Sequence, residues 1–223
     1  IHMGAAQAFK DEIPGVKSFA RIRADFFQEG PTISHIYSGD KVAFKDLKSI
    51  VVDWRFVTLF TFPLIKGKGA SALRSPKSIL ITENIAERLF GKDNPIGKTV
   101  DYGMNQGVLT LEVTGVIKDP PANSHIQFDV IIPLHGYLAN IPAAQLQYYS
   151  AWNFREFTTY VALSPHADIE KVEKEMSHIV QRNIGDDLRE ANISLAVQLQ
   201  PMKSVYFDRQ TDLGVIGFGS TLV

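Results

Sequence analysis

The chain has no cysteine, which rules out disulfides and any metal site built on thiolates. It also has no excess of charge: 23 Lys plus Arg stand against 24 Asp plus Glu, a formal net charge of −1 at pH 7. Proteins that track nucleic acid carry a basic face. Here the basic residues are scattered, and no nucleic-acid partner is expected. No apolar run reaches the ~18–20 residues of a membrane span; the nearest approach, 50–65, carries Asp53 and Arg55. No signal peptide is visible either. Ile1-His2-Met3 resembles a cloning scar, so residues 1–3 are set aside from fold reasoning. The terminal GVIGFGSTLV has neither a helix cap nor a polar tail, so the chain is expected to be a fragment of something longer.

What remains is ordinary globular material. Over 223 residues, 45% are hydrophobic and 21% charged, enough to bury one large core or two small ones. The segment SILITENIAERLFGKDNPIGKT, 78–99, looks at first like a phosphate-binding loop. A Walker A loop has four residues between its first Gly and Gly-Lys-Thr, whereas five (Lys92 to Ile96) separate Gly91 from Gly97-Lys98-Thr99. The order of elements is also wrong, because such a loop must open a helix whose N-terminus faces the phosphates. Here Gly91 is expected to end a short helix with Thr82 as N-cap and Ile85, Ala86, Leu89 and Phe90 on its apolar face. Nucleotide binding is therefore not expected.

Patterning elsewhere predicts a helix over 4–13, stopped by Pro14-Gly15, and a strand over 16–23. Strands at 33–37 and 42–44 flank a hairpin turn at Ser38-Gly39-Asp40-Lys41, and further strands are expected at 50–53 and 79–81. Leu109, Leu111 and Val113 alternate with polar residues, and Gly115 marks a bulge or a close backbone approach. A second alternating run, Ile126, Phe128, Val130 and Ile132, is expected to pair with the first across Asp119-Pro120-Pro121. The last third reads β–α–β: a strand over 157–163, a helix over 168–183, and a strand at Leu195, Val197 and Leu199. That helix has Asp168 as N-cap, Gly185 as its stop, and an apolar stripe of Ile169, Val172, Met176, Ile179 and Val180.

No constellation carries catalysis. The six histidines include no H-x-x-x-H pair, so no metal site is expected. There is no nucleophile elbow. Ser124-His125 reads as turn capping, and Asp186-Asp187 as solvated residues past a helix end. No catalytic and no cofactor-binding residue is assigned. Trp54, Phe56, Phe60 and Phe62 read mainly as core. Trp54, Tyr148, Tyr149 and Trp152 are the candidates for partner or ligand contact. Lys171, Lys174 and Arg182, interleaved with Glu170, Glu173 and Glu175, read as a solvated helix face with a Glu170–Lys174 pair.

Several stretches together resemble the extracytoplasmic domain of MacB/FtsX-type ABC transporter permeases. Phe9-Lys10-Asp11-Glu12-Ile13-Pro14-Gly15-Val16 resembles the family's opening helix and its exit. Val52-Asp53-Trp54-Arg55-Phe56 through Phe60-Thr61-Phe62-Pro63-Leu64, followed by Gly67, resembles its V-D-x-x-F…F-x-F-P-L segment. Leu73, Pro76, Ile81-Thr82-Glu83 and Ala86 to Gly91, then Asn94-Pro95-Ile96-Gly97-Lys98, resemble its L-F-G-x-x-N-P-I-G-K signature. Val113-Thr114-Gly115-Val116, Lys118-Asp119-Pro120-Pro121 and Asn123-Ser124-His125 resemble its V-x-G-V-x-K-D-x-P-x-N-S-H hairpin. Tyr160, Leu163 and the following helix, then Leu199-Gln200-Pro201-Met202, resemble the terminal β–α–β. Met202-Lys203-Ser204-Val205-Tyr206 departs from the usual L-K-x-I-H.

The resemblance implies an α+β fold of two lobes. A porter-like α/β lobe (βαβ) would form from both chain ends, 4–50 and 151–223, and a β-rich Sabre-like lobe, 51–150, would be inserted between them. It implies a domain on the extracytoplasmic, periplasmic side of the cytoplasmic membrane that is not an enzyme. Such a domain transmits ATP-driven motion of the transmembrane helices for export, extrusion or release of a substrate. The implied partners are its own transmembrane helices, a second permease half or copy, a cytoplasmic ATP-binding subunit that alone binds ATP, and a periplasmic or lipoprotein client. No cofactor is expected in this domain. The alternative is a periplasmic module that binds or senses a peptide, lipoprotein or drug. In isolation the chain is expected to be a monomer.

Overall fold

The structure, a computed structural model, describes residues 2–24, 31–37, 40–104, 107–150, 152, 157–205 and 219–222. The first elements in chain order are α1 (Ala5–Glu12), β1 (Val16–Ala24), β2 (Thr32–Tyr37), β3 (Asp40–Phe44) and β4 (Ser49–Val52). After them come α2 (Phe56–Leu59), β5 (Leu64–Gly67), β6 (Ser78–Thr82), α3 (Glu83–Phe90), β7 (Thr99–Met104) and β8 (Gly107–Ile117). The remainder is β9 (Val130–Pro133), α4 (Leu134–Leu138), α5 (Ala143–Ser150), β10 (Thr158–Leu163), α6 (Ile169–Glu190), β11 (Gln198–Pro201), α7 (Met202–Val205) and β12 (Gly219–Leu222). The fold is α+β, as the sequence implies.

Contacts divide the chain into two compact units, Ile1–Ile22 with Ile141–Val223, and Arg23–Asn140. The sequence reading placed divisions near 50 and 150. The earlier first division has a physical cause: β2 pairs antiparallel with both β3 and β7, and β4 pairs parallel with β9. Backbone hydrogen bonds thus commit residues 32–52 to the unit that holds the middle of the chain.

In the unit built from both chain ends, the strand order is β11-β12-β10-β1. Strand β1 runs antiparallel to β10, with a register shift between Val16 and Ser18, and β12 runs parallel to both β10 and β11. The expected β–α–β is therefore split, with β12 between its two strands. Helix α6 begins where Asp168 accepts the Lys171 N–H at 3.1 Å. Its buried face is Val172, Met176, Ile179, Val180, Ile184, Gly185 and Leu188. These side chains join Ala5, Ala6, Phe9 and Ile13 around α1, Val16 and Phe19 of β1, and Val161 of β10 in one core.

Gly185 does not stop α6, because the apolar stripe continues past it at four-residue spacing to Leu188. The stop is Asn192, which takes the left-handed conformation (φ 54). Asn192 N–H donates to the Arg189 carbonyl (3.1 Å) and Ile193 N–H to the Leu188 carbonyl (2.8 Å), the paired 5→2 and 6→1 bonds of a Schellman cap. Glu173 is not a solvated residue either. It accepts the Leu199 N–H at 2.6 Å, and Ser177 Oγ accepts the Val197 N–H at 2.9 Å, so α6 is tied to the chain entering β11. Residues 2 and 3, set aside in the sequence reading, are packed: His2 is buried, and the Met3 carbonyl accepts from Arg21 at 2.7 Å.

In the other unit the strand order is β4-β9-β6-β8-β7-β2-β3, with β5 pairing β8. The expected hairpin between the two alternating runs does not form. Strand β6 lies between them, parallel to β8 and antiparallel to β9, and only 130–133 of the second run is strand. The β2–β3 hairpin does form, with Tyr37 opposite Asp40; its turn residues Ser38 and Gly39 lie outside the described residues. Helix α3 carries the expected cap, Thr82 Oγ1 accepting the Ile85 N–H, and Gly91 ends it at φ 57. Gly115 is a site of close backbone approach. The β6–β8 register shifts between Ile79 and Leu80, next to it. A Cβ on Gly67, at φ +121, would stand 2.5 Å from Gly115 Cα.

The Asn192 cap makes a direct test of the α6 terminus. Asn192→Val forces a β-branched residue into the left-handed region and is expected to cost about 1–2 kcal/mol, while Asn192→Gly is expected to be nearly neutral. Urea denaturation of the two variants measures the difference.

Candidate functional site

The Gly-Lys-Thr segment is consumed by structure. Gly97 N–H donates to the Val113 carbonyl (2.9 Å) and Lys98 N–H to the Pro95 carbonyl (3.1 Å), while Val113 N–H returns to Lys98 (2.9 Å). Lys98 Nζ donates to Asp93 Oδ2 at 2.8 Å and stands 5.4 Å from the Phe90 ring centroid. The N–H groups and ammonium that a phosphate would need are already engaged.

The aromatic cluster is mostly core. Phe56 and Phe60 are buried. Phe56 stacks on Phe62 at 5.8 Å between centroids, and Phe128 meets both edge-on at 6.2 and 5.1 Å. Trp54, next in sequence, stands apart from these rings. It is half-buried, with the guanidinium carbons of Arg55 and Arg74 at 4.7 and 4.2 Å from its ring centroid. That is cation–π geometry.

The other candidates fall in the unit made by the chain ends. Tyr149 is buried in α5 at 8% exposure. Of Tyr148 only its place in α5 is described. Trp152 is half-buried against the core and lies 6.1 Å from the His2 ring. A Cβ on Gly4 would come within 3.2 Å of its Nε1, so the indole covers the start of α1. Trp54 and the other three thus belong to different compact units, and Trp152 is bound into its own unit's core.

The histidines are structural or solvated. His35 Nδ1 lies 2.7 Å from the Thr99 carbonyl oxygen and its ring packs on Phe90, while His135 Nε2 lies 3.0 Å from the Arg74 carbonyl oxygen. Burial holds the His125 pKa below its ordinary value. Ser124 Oγ serves its own turn, at 3.2 Å from Ile126 N and 3.0 Å from Ile126 O. Asp186 and Asp187 lie within α6, not past its end, and Asp186 pairs with Arg189. Among the described residues no group of three or more His, Asp or Glu could hold a metal.

Sequence reasoning missed a cleft of about 530 Å³ between α1 and α6, lined by Glu12, Ile13, Lys171, Lys174, Glu175, His178, Ile179 and Arg182. Arg182 Nη2 donates to both carboxylate oxygens of Glu12, at 2.7 and 3.0 Å, and so joins the two helices. The expected Glu170–Lys174 pair is not formed. The signal for the cleft was present: 171, 174, 178 and 182 recur at 3-4-4 spacing, a single stripe beside the apolar one.

The model of the MacB-like periplasmic core domain matches residues 2–179. Three solved structures share the fold. A domain assigned to a permease of Porphyromonas gingivalis is 25% identical, with 80% of this chain and 75% of that one covered and a TM-score of 0.61. The periplasmic region of MacB from Actinobacillus actinomycetemcomitans is 14% identical, with 86% and 82% covered and a TM-score of 0.59. The extracellular domain of the noncanonic ABC-type transporter YknZ, from Gram-positive bacteria, is 16% identical, with 83% and 84% covered and a TM-score of 0.53. No curated protein matches the chain by sequence.

The Glu12–Arg182 pair has a pH signature. The hydrogen bond and charge of Arg182 hold the Glu12 carboxyl below its ordinary value. The tie between α1 and α6 is thus fully present above the ordinary glutamate range and fades as pH falls through the depressed value. In a carboxyl NMR titration, Glu12 is expected to titrate below a free glutamate, and Arg182→Gln to return it to the ordinary range.

Proposed function

The chain belongs to the MacB-like periplasmic core domain family, the extracytoplasmic domains of ABC transporter permeases, and we propose that within such a permease it carries motion outward from the membrane. Cytoplasmic ATP hydrolysis by a separate subunit changes the arrangement of the permease's transmembrane helices. This domain, joined to those helices, converts the change into movement on the extracytoplasmic side of the cytoplasmic membrane. There it acts on a periplasmic or lipoprotein client during export, extrusion or release. A second permease half or copy completes the assembly.

The observation that carries this reading is the family match over residues 2–179 on a chain whose conspicuous motifs serve packing. The phosphate-loop lookalike is a structural turn, and the Ser-His pair belongs to a turn whose serine bonds its own backbone. Each compact unit also holds its own hydrophobic core, one around α6 and one around β6, β8 and α3. A unit with its own core can move as a body, because packed interiors deform little. No described helix is long and apolar enough to cross a membrane.

Spin-label distances in the full-length permease, assembled with its ATP-binding subunit, test the proposal. Labels at Lys92 and Glu190 report between the units, and labels at Lys77 and Lys92 report within one. The first distance is expected to change between the nucleotide-free and ATP-trapped states, and the second to stay constant. An inter-unit distance indifferent to nucleotide would sink the two-body mechanism.

A further inference from the structure

The cleft between α1 and α6 has the chemistry of a docking site. Its floor is apolar, because Ile13 and Ile179 line it from the core. Its wall on α6 is the stripe Lys171, Lys174, His178 and Arg182, all exposed. Twelve residues of helix carry this stripe over roughly 16 Å, longer than a small organic acid and suited to a stretch of polypeptide.

The charges of the cleft are unevenly committed. Glu12 is held by Arg182 in a two-oxygen grip, so one anion and one cation are spent on each other. Neither Lys171 nor Lys174 has an ion pair or a hydrogen bond from its ammonium group among the described residues. Glu170 stands one turn before Lys174 and Glu175 one turn after Lys171, and neither is drawn into a pair. Glu175 is the single remaining carboxylate in the cleft. Two open ammonium groups stand against it.

We propose that this cleft docks an acidic segment of a partner protein, with carboxylates meeting Lys171 and Lys174. A bilayer surface fits less well. Membrane-bound faces put their apolar residues outermost, to enter the acyl region. Here Ile13 and Ile179 are recessed beneath the cations, at 2% and 5% exposure. The lever reading can fail without touching this inference, since docking needs only the end-built unit.

The test uses the 223-residue chain, isotopically labelled for amide NMR, and a soluble amphipathic peptide of Glu, Ala and Leu. Its control is the same peptide with every Glu replaced by Lys. The acidic peptide is expected to shift amides at 12–13 and 168–182 and to lose its effect as salt rises. The basic peptide is expected to leave them unmoved. Lys171→Glu with Lys174→Glu should weaken binding at least about tenfold, and the double Gln variant by an intermediate factor. Thermal unfolding of both variants should match the parent, and if one fails to fold, the two peptides on the unaltered chain still decide. No localised shift, equal response to the basic peptide, or indifference to charge reversal overturns the proposal. Phosphatidylglycerol vesicles that shift the same amides where the acidic peptide does not would also overturn it.

Discussion

The end-built unit depends on one requirement: α6 must bury seven residues along a single face. A helix in a protein draws most of its stability from packing its apolar face rather than from its own propensity. Its stability comes from Val172, Met176, Ile179, Val180, Ile184 and Leu188 meeting α1, β1 and β10. Each such side chain contributes about 1.5–3 kcal/mol when fully withdrawn from water. The two ends of the chain must come together before that face has anything to cover it, because α1 and β1 lie before residue 25 and β10 and α6 after residue 157. Long-range closure is thus built into the unit, and its cost is met by one continuous core.

Fixing the buried face also fixes everything else on the helix. Once Val172, Met176 and Ile179 point inward, the stripe one position earlier and later must lie along the margin of the sheet layer. Glu173 and Ser177 fall on the side of β11, where they receive backbone N–H groups. Lys171, Lys174, His178 and Arg182 fall on the side of α1, where they wall the cleft. The polar residues of α6 are therefore two functional edges rather than one solvated surface. A reading that treats them as interchangeable charge misses both.

Local signals were legible wherever a side chain acts on its own backbone neighbourhood. Thr82, Asp168 and Gly91 could be placed as helix boundaries because capping is decided within a few residues. The β2–β3 pairing was legible for the same reason. Gly185 misled because glycine's conformational freedom is only an option. Burial of Ile184 and Leu188 on either side overrode it, and Asn192 supplied the left-handed residue instead. The two alternating runs misled differently. Alternation shows that a strand has a buried side, but which strand lies next to it depends on the whole sheet, and β6 takes the place between β8 and β9. The lobe boundary near 50 was illegible on the same ground, since the pairing of β2 with β7 spans about 70 residues. Of the four proposed contact aromatics, sequence could not tell that Tyr149 would be buried or that Trp54 would carry two arginines at its ring.

The proposed transmission of motion calls for stiffness inside each compact unit together with groups left available on its surface. The unit around β6, β8 and α3 ties buried polar side chains to internal partners: Thr114 Oγ1 donates to the Ala72 carbonyl and the Tyr102 hydroxyl to Ser49 Oγ. Such groups resist shear because each broken bond would leave a buried donor or acceptor unsatisfied. Along α6 the pattern is reversed on one edge, where Lys171 and Lys174 decline the acidic neighbours that helix geometry offers them. Side chains whose best partners are absent within the chain gain most from partners outside it. Under the proposed transmission of motion, the cleft with its unpaired Lys171 and Lys174 is the place on this unit through which such motion would act on a partner.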